Sequence, residues 1–127
     1  MDRHTESRLK RELVIWLVTS GKNGQPQAVP VWFLWDRDSF TVHSQDGIKV
    51  RHIKENPFVE LHLNSDEVGG DLVRVSGTAS IRQAPPAHKN AAYMRKYGRQ
   101  IRDLGMAPES FSRGYPNVIS VRRLRYH

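Results

Sequence analysis

Leu9 and Leu13 stand four residues apart among charged neighbours, a spacing that predicts a short amphipathic helix over residues 1–12. Leu13–Ser20 is rich in Val, Ile and Trp and reads as a strand. The run Gly21-Lys22-Asn23-Gly24 supplies residues that tolerate positive φ and predicts a hairpin turn. A second strand follows over Gln25–Trp35, and its Pro26 and Pro30 cannot donate to a ladder, so it belongs at an edge or contains a bulge. Asp36-Arg37-Asp38 turns the chain into a third, alternating strand, Ser39–Ser44. The period then changes to a helix over residues 47–55, with Val50 and Ile53 as its apolar stripe and Asn56-Pro57 as its end. Phe58–Asn64 alternates again, with Val59, Leu61 and Leu63 on one face. Asp71–Arg82 is a fifth strand in which Gly77 marks a bulge or a close backbone approach. Pro85-Pro86 opens a helical stretch over residues 85–104, Gly105–Gly114 reads as irregular, and Asn117–Tyr126 is a last strand. The order predicts a mainly β protein, a single barrel domain over residues 1–127 with about six strands and short helices at its rim.

Composition narrows the chemistry. Apolar residues make up 38% and charged residues 26%, a globular balance. With no cysteine, thiolate catalysis, disulfides and Cys-based metal sites are excluded. The six histidines show no metal-ligand spacing. No apolar run approaches a membrane span, and the charged N-terminal residues lack the apolar stretch of a signal peptide, so a soluble cytoplasmic protein is expected. Twenty Lys and Arg against 13 acidic residues give a net charge of +7. Such an excess suits a polyanionic partner, whether nucleic acid, an anionic surface or a multiply charged small molecule, although many soluble proteins are simply basic. Tyr93-Met94-Arg95-Lys96-Tyr97-Gly98-Arg99 interleaves aromatic and basic residues, but Tyr93 and Tyr97 at i, i+4 fit an ordinary rim helix packing inward.

The candidate chemistry sits between Ser44 and Pro57. A strand there runs through a polar turn into a helix whose free N–H groups and dipole favour an anion. Lys49 brings a point charge, Arg51 a bidentate fork and Ser44 a hydroxyl, a suitable set for one phosphate. Taken locally, the same residues also describe a serine cap before a basic surface helix. There is no GxGxxG, Walker A or GxSxG motif.

The chain resembles the pyridoxamine-5′-phosphate-oxidase-like split-barrel superfamily, and within it the small reductases that use the deazaflavin coenzyme F-420. The resemblance runs through Ile15–Thr19, Gly24–Phe33, Phe40–Ser44, Lys49–Ile53, Asn56–Leu61 and Gly70–Ala79, and covers residues 9–126. It implies a split β-barrel homodimer with cofactor sites at the subunit interface. It further implies that Lys49 and Arg51 hold the cofactor phosphate with Ser44. Pro30, Val31 and Trp32 would run along the ring system, and His43 and Gln45 would be secondary contacts. The implied reaction is hydride transfer from reduced coenzyme F-420 to a small electrophilic organic substrate. An FMN-dependent oxidase or reductase on the same fold is the alternative, and a non-enzymatic nucleic-acid-binding protein is a second one that the split-barrel pattern disfavours. No catalytic residue stands out; Tyr115, His43 or solvent would supply a proton. The basic residues Arg74, Arg95, Lys96, Arg99, Arg122, Arg123 and Arg125 would attract the acidic tail of the coenzyme. The chain departs from the family's habit at Gln45-Asp46-Gly47, where proline is frequent, and at His52, where asparagine is; His52 is expected on the helix surface.

Overall fold

The turn at Gly21–Gly24 folds the chain back on itself, with Gly24 at φ +79° as a hairpin turn requires. In the computed structural model, which describes residues 1–127, the turn joins β1 (Ile15–Ser20) to β2 (Pro26–Val31) in antiparallel register, Ser20 opposite Pro26. The remaining strands are β3 (Leu34–Asp36), β4 (Ser39–Ser44), β5 (Phe58–His62), β6 (Arg74–Arg82) and β7 (Asn117–Tyr126). They form one seven-stranded antiparallel sheet in the order β2-β1-β5-β6-β7-β4-β3. Four α-helices accompany it: α1 (Arg3–Arg11), α2 (Ile48–Glu55), α3 (Ala91–Asp103) and α4 (Pro108–Gly114). The curled sheet with its short helices is the split barrel expected.

The prolines sit where their missing N–H groups require, because β2 is an edge strand. The expected second strand is corrected. The second strand does not run unbroken from Gln25 to Trp35; it breaks at Trp32-Phe33, so that the sheet has seven strands instead of six. The reason is topological. β2 pairs with β1 and β3 pairs with β4, and these pairs lie at opposite ends of the strand order. The chain therefore crosses at Trp32-Phe33 from one edge of the sheet to the other, which closes the barrel along that line. Phe33 is fully buried there, and its backbone has no strand partner. Side chains of α3 take over: the Phe33 N–H donates to the Tyr97 hydroxyl at 2.8 Å, and the Lys96 ammonium donates to the Phe33 carbonyl at 2.8 Å. The Tyr97 hydroxyl in turn donates to the carbonyl of Leu13, at 2.7 Å. Burial brings Lys96 down to about 8.

The barrel interior is aliphatic. Leu17, Val42, Leu61, Val75 and Ile119 belong to a core that α1 enters with Leu9 and α2 with Val50 and Ile53. Val59 and Leu61 point inward from β5 as its alternation predicts. A second cluster of Ala87, Tyr93, Tyr97, Ile101 and Phe111 lies between the sheet and α3 and α4. Tyr93 and Tyr97 thus pack inward as their spacing indicates. The bulge anticipated at Gly77 is a register shift between Ser76 and Gly77, and a Cβ there would come within 2.7 Å of the Arg122 carbonyl.

The helical stretch over residues 85–104 is two elements, a 3-10 turn at Ala87–Lys89 and then α3, whose first turn is capped by Asn90 accepting from the Tyr93 N–H. Gly105–Gly114 is not irregular throughout, since α4 starts with Pro108 in its first turn, where a missing N–H is harmless. The fifth strand begins at Arg74, not Asp71. Asp71 instead turns the chain at φ +54° and helps to hold α1: Arg8, buried under that helix, donates to the carbonyls of Asp71 at 2.5 Å and Asn64 at 2.7 Å and pairs with Glu12.

Candidate functional site

Alternation along β4 sends Phe40 and Val42 into the barrel and leaves Thr41 and His43 facing outward, toward the layer built by α3 and α4. β4 ends at Ser44, and α2 begins at Ile48 after three intervening residues. A cleft of about 350 Å³ opens at this junction. One wall is the end of the edge strand β2 and its continuation, Pro30, Val31 and Trp32; the floor and polar end are His43, Ser44, Gln45 and Lys49. The opposite wall comes from Tyr93, Leu104, Phe111 and Tyr115.

Seven of the eight expected site residues therefore meet around one cavity: Pro30, Val31, Trp32, His43, Ser44, Gln45 and Lys49. Arg51 does not line it. Two residues along a helix turn the side chain by roughly 200°, and Arg51 is exposed while Lys49 is half-buried against the cleft.

The polar end of the cleft is underpaired. Burial lowers Lys49, and no opposing charge offsets it. The start of α2 is capped by Gly47, which offers no side chain to the N–H groups of the first turn. Ser44 is buried and its hydroxyl donates to the neighbouring Gln45 carbonyl at 2.7 Å, so donation to a ligand requires a hydroxyl rotation. His43 is 6% exposed, and neither ring nitrogen has a hydrogen-bond partner. Desolvation brings it down to about 4, so the imidazole is neutral at physiological pH. The edge of its ring meets Tyr93, centroids 4.7 Å apart, and the Tyr93 hydroxyl is likewise buried and unpartnered. Desolvation raises Tyr93 far above the usual phenol range.

Aromatic packing defines the apolar part. Trp32 stacks on Tyr97 at 4.6 Å and on Phe111 at 5.6 Å, and Phe111 stacks on Tyr115 at 4.5 Å. The indole of Trp32 is thus engaged within the protein, which leaves its backbone as the part available along the β2 edge. Chemically the cleft combines a flat, aromatic-walled slot with one cationic end, and so suits a planar heterocycle joined to a phosphate.

His52 corrects an expectation. It lies on the inner face of α2, buried, with its ring within 3.0 Å of the Thr19 hydroxyl on β1, and so neither lines the cleft nor covers the surface. Val14, Leu104 and Phe111 were not anticipated as lining. They come from separate segments that only the folded chain brings together. The one available signal was the inward stripe of α3, which carries Tyr93 to the site.

The family model for pyridoxamine 5′-phosphate oxidase matches residues 1–122 of the chain. No curated protein matches it. Among solved structures, an F-420 reductase is 27% identical, with a TM-score of 0.71 over 96% of this chain and 94% of that one. A FAD-binding protein from Mesorhizobium loti is 18% identical, with a TM-score of 0.68 over 97% of this chain and 87% of that one. The heme storage protein HutZ from Vibrio cholerae is 14% identical, with a TM-score of 0.65 over 97% of this chain and 90% of that one. The last two likenesses are of fold alone.

Proposed function

Because the chain belongs to the pyridoxamine 5′-phosphate oxidase family, we propose that it is an oxidoreductase that uses coenzyme F-420 to reduce a small electrophilic organic substrate. The observation that carries this reading is Lys49: a half-buried ammonium at the end of an aromatic-walled cleft, with no carboxylate to balance it. Such an amine is relieved by an anion, and a phosphate suits it. FMN shares the flat ring and the phosphate, and is the second reading.

In this reading Lys49 and Ser44 hold the phosphate beside the start of α2, and Arg51, exposed one face away, adds longer-range attraction. The backbone of Pro30, Val31 and Trp32 meets the polar edge of the ring, since an edge strand has one row of groups with no ladder partner. Gln45 and His43 complete the polar floor. Val31, Phe111 and Tyr115 keep water from the ring's body. Bound here, the reduced deazaflavin supplies a hydride. The proton that must accompany it comes from Tyr115 or from solvent at the cleft mouth, since His43, held neutral by burial, is not an acid at physiological pH. A homodimer, with the cleft at its interface, is part of the proposal. So is a salt-sensitive contribution to cofactor capture from the basic surface.

Parallel titration of the purified protein with coenzyme F-420 and FMN tests the assignment. Binding of F-420, weakened about tenfold or more by Lys49→Ala, supports it. Preference for FMN moves the protein to the second reading. Unchanged affinity for both cofactors in Lys49→Ala sinks the site.

A further inference from the structure

The outer face of β4 borders a second hollow, on the other side of His43 from the cleft. It measures about 390 Å³ and is lined by Thr41, His43, Arg82, Lys89, Asn90 and Ser120 together with four small or apolar residues. Strand register explains why these residues meet. Val118 on β7 stands opposite Arg82 on β6 and opposite His43 on β4, so Arg82 and His43 share one row of the same face, about 10 Å apart. The next row of that face holds Ser120 opposite Thr41. The 3-10 turn and the cap of α3 then set Lys89 and Asn90 over the rows.

The polar inventory has one sign. No carboxylate lines the hollow. Neither Arg82 nor Lys89 is in an ion pair, although Arg8, Arg74 and Arg123 elsewhere in the chain are. The side-chain oxygen of Asn90 is used by the Tyr93 N–H, which leaves its amide hydrogens free to donate. Thr41 and Ser120 add hydroxyls. In the wall stands His43, 6% exposed, with both ring nitrogens unpartnered. A hollow with two unpaired cations, several neutral donors and no acceptor charge is complementary to an oxyanion.

We propose that this hollow is a second anion site, in which Arg82 and Lys89 bind a carboxylate or phosphate group with help from Thr41, Ser120 and Asn90. Nothing in the proposal depends on what occupies the cleft. The group has two possible sources, an acidic substituent of the cofactor or a separate anionic ligand such as a substrate bearing a carboxylate.

The test is a titration with inorganic phosphate at constant ionic strength, read by the backbone amide signals of Thr41, His43 and Ser120. Saturable shifts are expected, with affinity reduced about tenfold in Arg82→Gln/Lys89→Gln. Both residues are exposed, so the variant keeps its fold. Lys49→Gln should leave these shifts in place even where it abolishes cofactor binding, which separates failure of the cleft assignment from failure of this one. Displacement of phosphate by saturating coenzyme F-420 supports the site with the cofactor as source; simultaneous binding supports it with a separate ligand. Shifts that are non-saturating, that chloride reproduces, or that vanish in Lys49→Gln but persist in Arg82→Gln/Lys89→Gln overturn it.

Discussion

Arg8 under α1 and Lys49 at the cleft are both cations drawn out of water, but only Arg8 finds its partners within the chain. Its guanidinium is held by Glu12 and by the carbonyls of Asp71 and Asn64, and the bond to Glu12 holds it above the usual arginine range. Lys49 is shifted the other way, by burial with nothing to offset it. The same contrast extends to neutral groups. The Phe33 N–H and carbonyl, buried between the sheet edges, are matched by Tyr97 and Lys96, whereas His43 and the Tyr93 hydroxyl beside the cleft are not matched at all. Polar groups that serve the architecture are satisfied by the architecture. Three of the four buried side-chain atoms left over, the two His43 ring nitrogens and the Tyr93 hydroxyl, gather beside the outward face of β4, where ligands would supply the missing half; the fourth is the Gln100 Oε1 on α3.

The contrast can be broken at its structural end first. Arg8→Ala strips partners from Glu12 and from two backbone carbonyls, and should destabilise the protein by about 3 kcal/mol in urea denaturation, without changing cofactor affinity in the folded fraction. Tyr97→Phe leaves the Phe33 N–H buried and unpaired; a loss of about 2 kcal/mol is expected from the same measurement.

A pH series probes His43 next. The folded state holds it at about 4, whereas an unfolded histidine titrates near 6.5. Between those values the unfolded chain takes up a proton that the folded one refuses, so stability falls as pH drops from about 6.5 to 4, by up to about 1.4 kcal/mol per unit. Above that window the contribution is fully present. His43→Gln should remove this share of the slope, and a slope identical to wild type would show that the ring is not held neutral.

The smallest effects sharpen the comparison at the cleft itself. Lys49→Ala should weaken cofactor binding about tenfold while leaving stability unchanged, since the amine it removes has no partner to strand. Arg51→Ala should weaken it only about threefold and lose even that at high salt, as befits an exposed charge acting through solvent. Equal losses in the two variants would place both side chains on the phosphate.

Much of this was legible in local pattern. The alternation of Phe58–His62, the edge position implied by Pro26 and Pro30 and the inward stripe of Tyr93 and Tyr97 are all consequences of one element meeting one environment. That seven of the eight expected residues line one cleft has a related reason: they sit on two short stretches, Pro30–Trp32 and His43–Lys49, whose order along the chain is the signal. What local pattern does not carry is long-range pairing. The break at Trp32-Phe33 exists because β2 and β3 have different partners, a fact encoded in β1 and β4. His52 is drawn inward by Thr19, 33 positions away. α4 spans only seven residues, too few for a periodic stripe to stand out after Gly105. The unequal roles of Lys49 and Arg51 follow from helix phase at the cleft, which needs the position of the cleft to be known.

The crossing at Trp32-Phe33 also has a kinetic side. β1–β2 and β3–β4 are local hairpins that form early, while the Tyr97 bond that closes the barrel spans 64 positions and must come late. No strand ladder joins β2 to β3. A swing of α3 away from the sheet therefore parts the barrel along this line without breaking a single interstrand bond. Such a swing gives up the contacts of Tyr93, Tyr97 and Ile101 but leaves the sheet intact, and it would unroof the cleft in passing. In hydrogen exchange the Phe33 amide is expected to follow α3 and to exchange faster than the strands on either side.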